Sequence, residues 1–165
     1  MKNIITHLVA LLIISLSISS CDSGNEEKPV ITSEWTIVER TIRTTDSSVD
    51  ESMNYAFKED TKENDTTRSF TELSVKTTKR KKDTEGMSGL INEITESYVI
   101  KGDSIYIEDI KGGTRISKCL ISSRVLTTYS KITSEDLRKM APNVGIGPDL
   151  IPDGVTGELK IKEIR

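Results

Sequence analysis

The 165-residue sequence carries 23 Lys and Arg against 26 Asp and Glu, a formal charge of −3, with 35% hydrophobic and 30% charged residues. That length holds one modest domain with a thin core, and the mildly acidic balance speaks against general nucleic-acid binding. His7 is the only histidine, so a domain that starts after the N-terminal segment has no imidazole for Ser-His-Asp or Cys-His catalysis or for the commonest zinc sites.

Lys2 leads an apolar run from Ile4 to Ile18 that His7, Ser15 and Ser17 interrupt. A spanning helix needs ~20 apolar residues, more than this run supplies. A charged start, a short apolar stretch and small residues before a cut site describe a removed signal peptide. Ile18-Ser19-Ser20-Cys21 resembles the lipobox of bacterial lipoproteins, with Ile18 in place of the more usual Leu. Ser19 and Ser20 leave the peptidase room at the bond before Cys21. The resemblance implies cleavage there and acylation of Cys21 with palmitate-like chains, so that the chain is anchored to a membrane rather than spanning it. Each buried methylene adds ~0.8 kcal/mol, and two chains suffice for stable anchoring.

Residues 1–20 are then a signal peptide, 21–32 a polar tether and 33–165 the domain. Removing one Lys and no acid leaves a mature charge of −3 − 1 = −4. Asp22, Glu26 and Glu27 are compatible with inner-membrane retention in some bacteria and with surface export in others. The expected location is the cell envelope, with the outer membrane favoured over the inner.

From Ser33 onward Thr, Val, Ile and Tyr recur in short alternating runs between turn-forming clusters, the pattern of an all-β meander. Strands are expected near Glu34–Arg43, Met53–Lys58, Arg68–Thr77, Leu90–Lys101, Ser104–Asp109, Arg115–Ser122, Val125–Ile132 and Gly157–Ile164. Alternation is clearest at Met53/Tyr55/Phe57, Tyr98/Ile100, Ile105/Ile107, Ile116/Leu120 and Leu159/Ile161, with Lys160 and Lys162 on the opposite face of the last strand. Lys101-Gly102-Asp103 reads as a tight hairpin turn, and Lys111-Gly112-Gly113 marks another. One helix is expected before the last strand. Thr133 and Asp136 form a capping box, Leu137 and Met140 share a side, and Pro142 stops the helix.

Eight strands joined mostly by hairpins close into an antiparallel barrel, which removes exposed edges. Trp35 in Glu34-Trp35-Thr36-Ile37-Val38, the hairpin Tyr98–Ile107 and the closing strand Gly157–Ile161 together resemble the lipocalin-like domains of small bacterial lipoproteins. Ser33 stands where lipocalins prefer Gly. The resemblance implies a lipocalin-like barrel over 33–165.

Alternating strand direction places loops 44–52, 78–89, 110–114 and 133–156 at one end. Loops 59–67, 102–103 and 123–124 fall at the other with the tether. The basic run Lys79-Arg80-Lys81-Lys82 and the acidic run Glu59–Asp65 would then form a charge dipole along the barrel axis. The acidic run lacks the glycine and spacing of a calcium loop. Segment 133–156 is a candidate lid, with Leu137, Met140, Val144 and Ile146 over the mouth, or a loop packed on the outside.

Two functions fit. The leading one is non-enzymatic binding of a small apolar or amphipathic ligand inside the barrel, lined by Trp35, Tyr55, Phe57, Tyr98, Ile105 and Ile107. The alternative is an interaction module that binds an envelope protein or glycan through loops 78–89 and 133–156, with Lys79, Arg80, Lys81 and Lys82 as contacts. No interleaved aromatics accompany that run, unlike a nucleic-acid site. Catalysis by Glu93, Glu96, Glu108 or Asp109 is not required by their spacing. Cys119 is expected to be a buried strand residue. No metal or cofactor is expected.

Overall fold

A computed structural model describes residues 31–84, 89–108 and 114–165. The elements are β1 (Glu34–Thr44), α1 (Ser47–Glu63), β2 (Asn64–Phe70), β3 (Ser74–Lys81), β4 (Leu90–Lys101), β5 (Ser104–Glu108), β6 (Thr114–Ile121), β7 (Val125–Thr133), α2 (Ser134–Met140) and β8 (Thr156–Ile164). Two short 3₁₀ turns, Ala141–Val144 and Pro148–Leu150, follow α2. The strands form a closed antiparallel barrel in chain order, with β8 pairing back onto β1. Cys21 and the tether up to Val30 lie outside the described residues.

Alternation sets the walls. In β7 the inward residues Leu126, Thr128, Ser130 and Ile132 are all buried, as a period of two requires. In β8, Leu159 and Glu163 are buried on the same side. The β4–β5 turn runs through Gly102 at φ 62, a conformation that glycine enters without strain. Leu137 of α2 is fully buried, and the Thr133–Asp136 capping box forms as expected.

The eight strands are not all the expected ones. Met53–Lys58 is helix, not strand. Asp46 caps α1 by accepting from the Ser48 and Val49 amides, and Asp50 lies in the first turn. Val49, Met53, Phe57 and Asp60 are its buried residues, a spacing of four, four and three that defines one helical face. Met53 and Phe57 fit a helical stripe as well as an alternating one. Tyr55 decides between them, because it is 68% exposed on the outer side of α1.

The expected strand Arg68–Thr77 is in fact two. Thr71 breaks it without glycine or proline: its hydroxyl accepts from the Ser74 amide at 3.1 Å, while its own amide donates to the Ser74 carbonyl at 2.8 Å. The extra turn restores the count of eight.

These changes move the acidic run. The α1 and 134–155 segments lie at one barrel end, and the turns 71–73, 102–103 and 122–124 lie at the other with Ile31. Residues 59–67 sit at the helical end, beside the basic run. The axial charge dipole therefore does not exist, because the two runs neutralise each other locally. Lys79 pairs with Asp60 at 2.5 Å, and Lys82 with Asp65 at 3.5 Å.

Two apolar clusters close the ends. At the helical end Val49, Met53 and Phe57 of α1 meet Leu137, Ile151 and Val155 over Ile42, Ile132 and Leu159 of the barrel. Segment 134–155 thus caps the mouth, but shares that task with α1. At the hairpin end Trp35, Phe70, Val75, Tyr98, Ile105 and Leu126 pack together. The β1–β8 seam is tight: a Cβ on Gly157 would lie 2.3 Å from the Arg43 carbonyl oxygen and 2.7 Å from Thr44 Cα. Gly157→Val should cost about 1–3 kcal/mol by forcing these strands apart, seen as a lower urea midpoint. An unchanged midpoint would show that the seam yields.

Candidate functional site

Between the two apolar clusters the barrel holds a band of charged and hydroxyl side chains. Arg68 Nη1 donates to Glu163 Oε1 at 2.6 Å, with both side chains almost wholly buried. Arg68 also lies 4.8 Å over the Phe70 ring. Ser117 and Ser130 share a hydrogen bond of 2.6 Å, Thr128 is buried two residues along β7, and Thr66 is buried on β2. Burial pushes the Glu163 carboxyl up from its ordinary value, and Arg68 offsets only part of that. Glu163 Oε2 and Arg40 Nε are buried without a hydrogen-bond partner among the described residues.

Nearer the helical end, Asp60 gathers three donors. Arg40 from β1 and Lys79 from β3 pair with it, and Asn64 donates at 2.8 Å. Lys79 also donates to the Asn143 carbonyl at 3.1 Å. One carboxylate thereby ties α1 to two strands, and one ammonium ties the same centre to the turn after α2.

Among the described residues, pairing stops short at several seams, most of all β1–β2, where only Glu34–Thr36 meet Thr67–Ser69, and also at β6–β7. β6 and β7 pair only over Ser117–Ile121 and Leu126–Ser130. Thr114, Arg115 and Ile116 pair with β5 alone, and Lys131, Ile132 and Thr133 with β8 alone. A pocket of about 800 Å³ occupies this place beside α2. Ile132, Leu159, Met140 and Ile116 give it apolar wall. Lys118, Lys131, Lys139 and Glu158 give it charge, and Glu96 and Arg115 of its lining pair with each other at 3.4 Å. A second pocket, about 560 Å³, lies between α1 and β1, with Val38, Thr41, Phe57, Lys58 and Lys82 among its lining.

The expected ligand-lining residues divide differently. Trp35, Tyr98, Ile105 and Ile107 come together, but as packed core at the hairpin end. The Trp35 indole donates to the Ile31 carbonyl at 2.9 Å, and the Arg165 guanidinium lies 5.1 Å from its ring. Tyr98 meets Phe70 edge-on at 5.3 Å and donates its hydroxyl to the Thr71 carbonyl at 2.5 Å. Phe57 belongs to the other cluster, and Tyr55 faces away from the barrel.

Of the basic run, Lys79 is turned into the barrel. Lys82 holds Asp65 and the Thr61 carbonyl, Arg80 stands opposite Asp65 in register, and Lys81 is exposed. Glu93 sits on the outer wall paired with Lys76 at 2.8 Å, Glu108 is exposed, and Asp109 lies outside the described residues. Cys119 is buried in the wall of β6, and burial raises its thiol pKa.

The β6–β7 gap and its lining were missed by sequence reasoning, apart from Glu96 and Met140. The readable signal was the polar inward pair Ser117 and Ser130, where barrel strands ordinarily carry larger apolar residues. Comparison with protein-family models, with curated proteins and with solved structures returned no match.

Proposed function

We propose that this chain is a non-enzymatic, lipid-anchored protein of the bacterial cell envelope that takes a small amphipathic ligand into its barrel through the gap between β6 and β7. The observation that carries this reading is the 800 Å³ pocket beside the stretch where β6 and β7 are no longer paired. Small-molecule sites are concave, chiefly apolar and furnished with a few placed polar groups. Ile132, Leu159 and Met140 supply apolar wall, while Lys131, Lys139 and Ser130 supply polar anchors. The lipobox resemblance at Ile18–Cys21 supports the anchor.

The interaction-module reading draws less support, because Lys79 and Lys82 of its basic run are already held by Asp60 and Asp65. The test uses an amphipathic fluorescent probe, anilinonaphthalene sulfonate. It should bind saturably at one site. Met140→Trp, which fills the pocket from α2, should weaken binding about tenfold, equivalent to 1.4 kcal/mol, with an unchanged far-ultraviolet spectrum. Non-saturable binding, or full affinity in Met140→Trp, would remove this reading.

A further inference from the structure

The outer wall of β4–β6 differs from the rest of the barrel surface. Val99, Tyr106 and Ile116 lie directly opposite one another on three adjacent strands. All three point outward, because their neighbours Tyr98, Ile105 and Ile107 point into the core. Leu120 continues the patch on β6. Val99, Ile116 and Leu120 are 52%, 53% and 64% exposed. Across the barrel, β1, β2 and β8 present Thr36, Thr41, Thr67, Ser69, Lys160 and Lys162, with Val38 and Ile164 as the exposed apolar exceptions.

Lys101 and Lys118 flank the apolar row, and the Lys101 ammonium lies 5.2 Å from the Tyr106 ring centroid. Among the described residues, the acids on or beside this wall are Glu93, which Lys76 pairs, Glu108 at the far end of β5, and Asp103 in the turn next to Lys101. Apolar side chains bordered by lysines match a bilayer interface, where the first enter the acyl boundary and the second meet anionic headgroups.

We infer that this wall lies on the lipid surface, with the β6–β7 gap opening toward the bilayer so that an amphipathic ligand passes between lipid and barrel without crossing water. Ile116 joins the two features, since it belongs to both the exposed row and the pocket rim. The inference rests on the acyl anchor proposed above, and the tether length permits it. Residues 21–30 span at most ~35 Å when extended, and Ile31 enters the barrel at the hairpin end, where Val99 and Leu120 also lie.

The test uses the full acylated protein in phosphatidylethanolamine–phosphatidylglycerol vesicles. Nitroxides are placed at Val99→Cys, Ile116→Cys, Leu120→Cys or Thr67→Cys, each with Cys119→Ser. The ratio of oxygen to aqueous nickel-chelate collisions should be several-fold higher at positions 99, 116 and 120 than at 67. Equal ratios in protein that floats with the vesicles would overturn the inference and leave the anchor standing. Spin–spin broadening at 116 and 120 would overturn it in favour of a second copy of this chain as the covering partner. Absence of acyl chains by mass spectrometry would overturn both the anchor and the docking face.

Discussion

Asp60→Ala should lower stability by about 3 kcal/mol, the lower end of the cost of removing one partner from a buried charge cluster. The lower end applies because Arg40 and Lys79 keep some contact with water, at 16% and 17% side-chain exposure. Without the carboxylate, two cations face each other inside the helical end with only the Asn143 carbonyl left to Lys79. The loss should be local first. Amides in the last turns of α1 should exchange faster than those of β7 and β8, because Asp60 ties that end of the helix to β1 and β3, while Asn54 and Asp50 still bond the Ile42 and Thr44 backbone nearer its start. Asp60→Asn keeps an acceptor and should lose less.

The same residue sets an acid dependence. Burial alone would raise the Asp60 pKa, but donation from Lys79 and Arg40 outweighs it and holds the carboxyl below its ordinary value. A depressed folded pKa means that the stabilisation is present above the unfolded value and lost as pH falls through the folded one. Unfolding midpoints should therefore drop on acidification more steeply in the parent than in Asp60→Asn. Parallel pH curves, or α1 exchange unchanged in Asp60→Ala, would show that the Asp60 cluster does not hold the helix.

The barrel was legible in the sequence because inward and outward residues alternate along β1, β5, β7 and β8, and alternation is a local property. Helix α1 was not, for a specific reason. Met53 and Phe57 are four apart, which suits both a strand face and a helical stripe, and Tyr55 between them mimics an alternating run. The cap was there to read: Asp46 before Ser47 and Ser48, Asp50 in the first turn, Lys62 in the last. The Thr71 turn escaped because a threonine hydroxyl, rather than glycine or proline, redirects the chain. Both errors concern which segment supplies a strand, and they cancel in the count. They do not cancel in the electrostatics, because moving residues 59–67 to the other end converts a supposed dipole into ion pairs. The pocket was harder still, since the polar inward pair Ser117 and Ser130 marks the place but the length over which β6 and β7 stay paired is a tertiary property that strand alternation does not encode.

The buried pair between β2 and β8 makes the sharpest energetic test. Glu163→Leu alone should cost about 3–5 kcal/mol, because it strands the Arg68 guanidinium in the barrel with only the Phe70 ring against it. Arg68→Met alone should cost a similar amount, leaving a fully enclosed carboxylate with one oxygen already unpartnered. The double variant Arg68→Met/Glu163→Leu should recover nearly all of it, falling within about 1 kcal/mol of the parent or above it. Apolar residues of similar volume then join Trp35, Val75 and Leu126 in the adjoining cluster, and no ion has to be dehydrated. The coupling between the two sites should thus be large and of opposite sign to the single losses.

The parent should also respond to pH in a way the double variant does not. Burial raises the Glu163 pKa, so the folded state holds that proton more tightly than the unfolded chain. The resulting contribution is full below the unfolded value and disappears as pH rises through the folded one, the reverse of Asp60. Comparing urea midpoints of the parent, both single variants and the double variant across the acid range separates the two groups. If the double variant is as damaged as either single one, the ion pair is required for barrel closure. The charged band would then be a structural need of the fold, and no longer a feature held in spite of its cost.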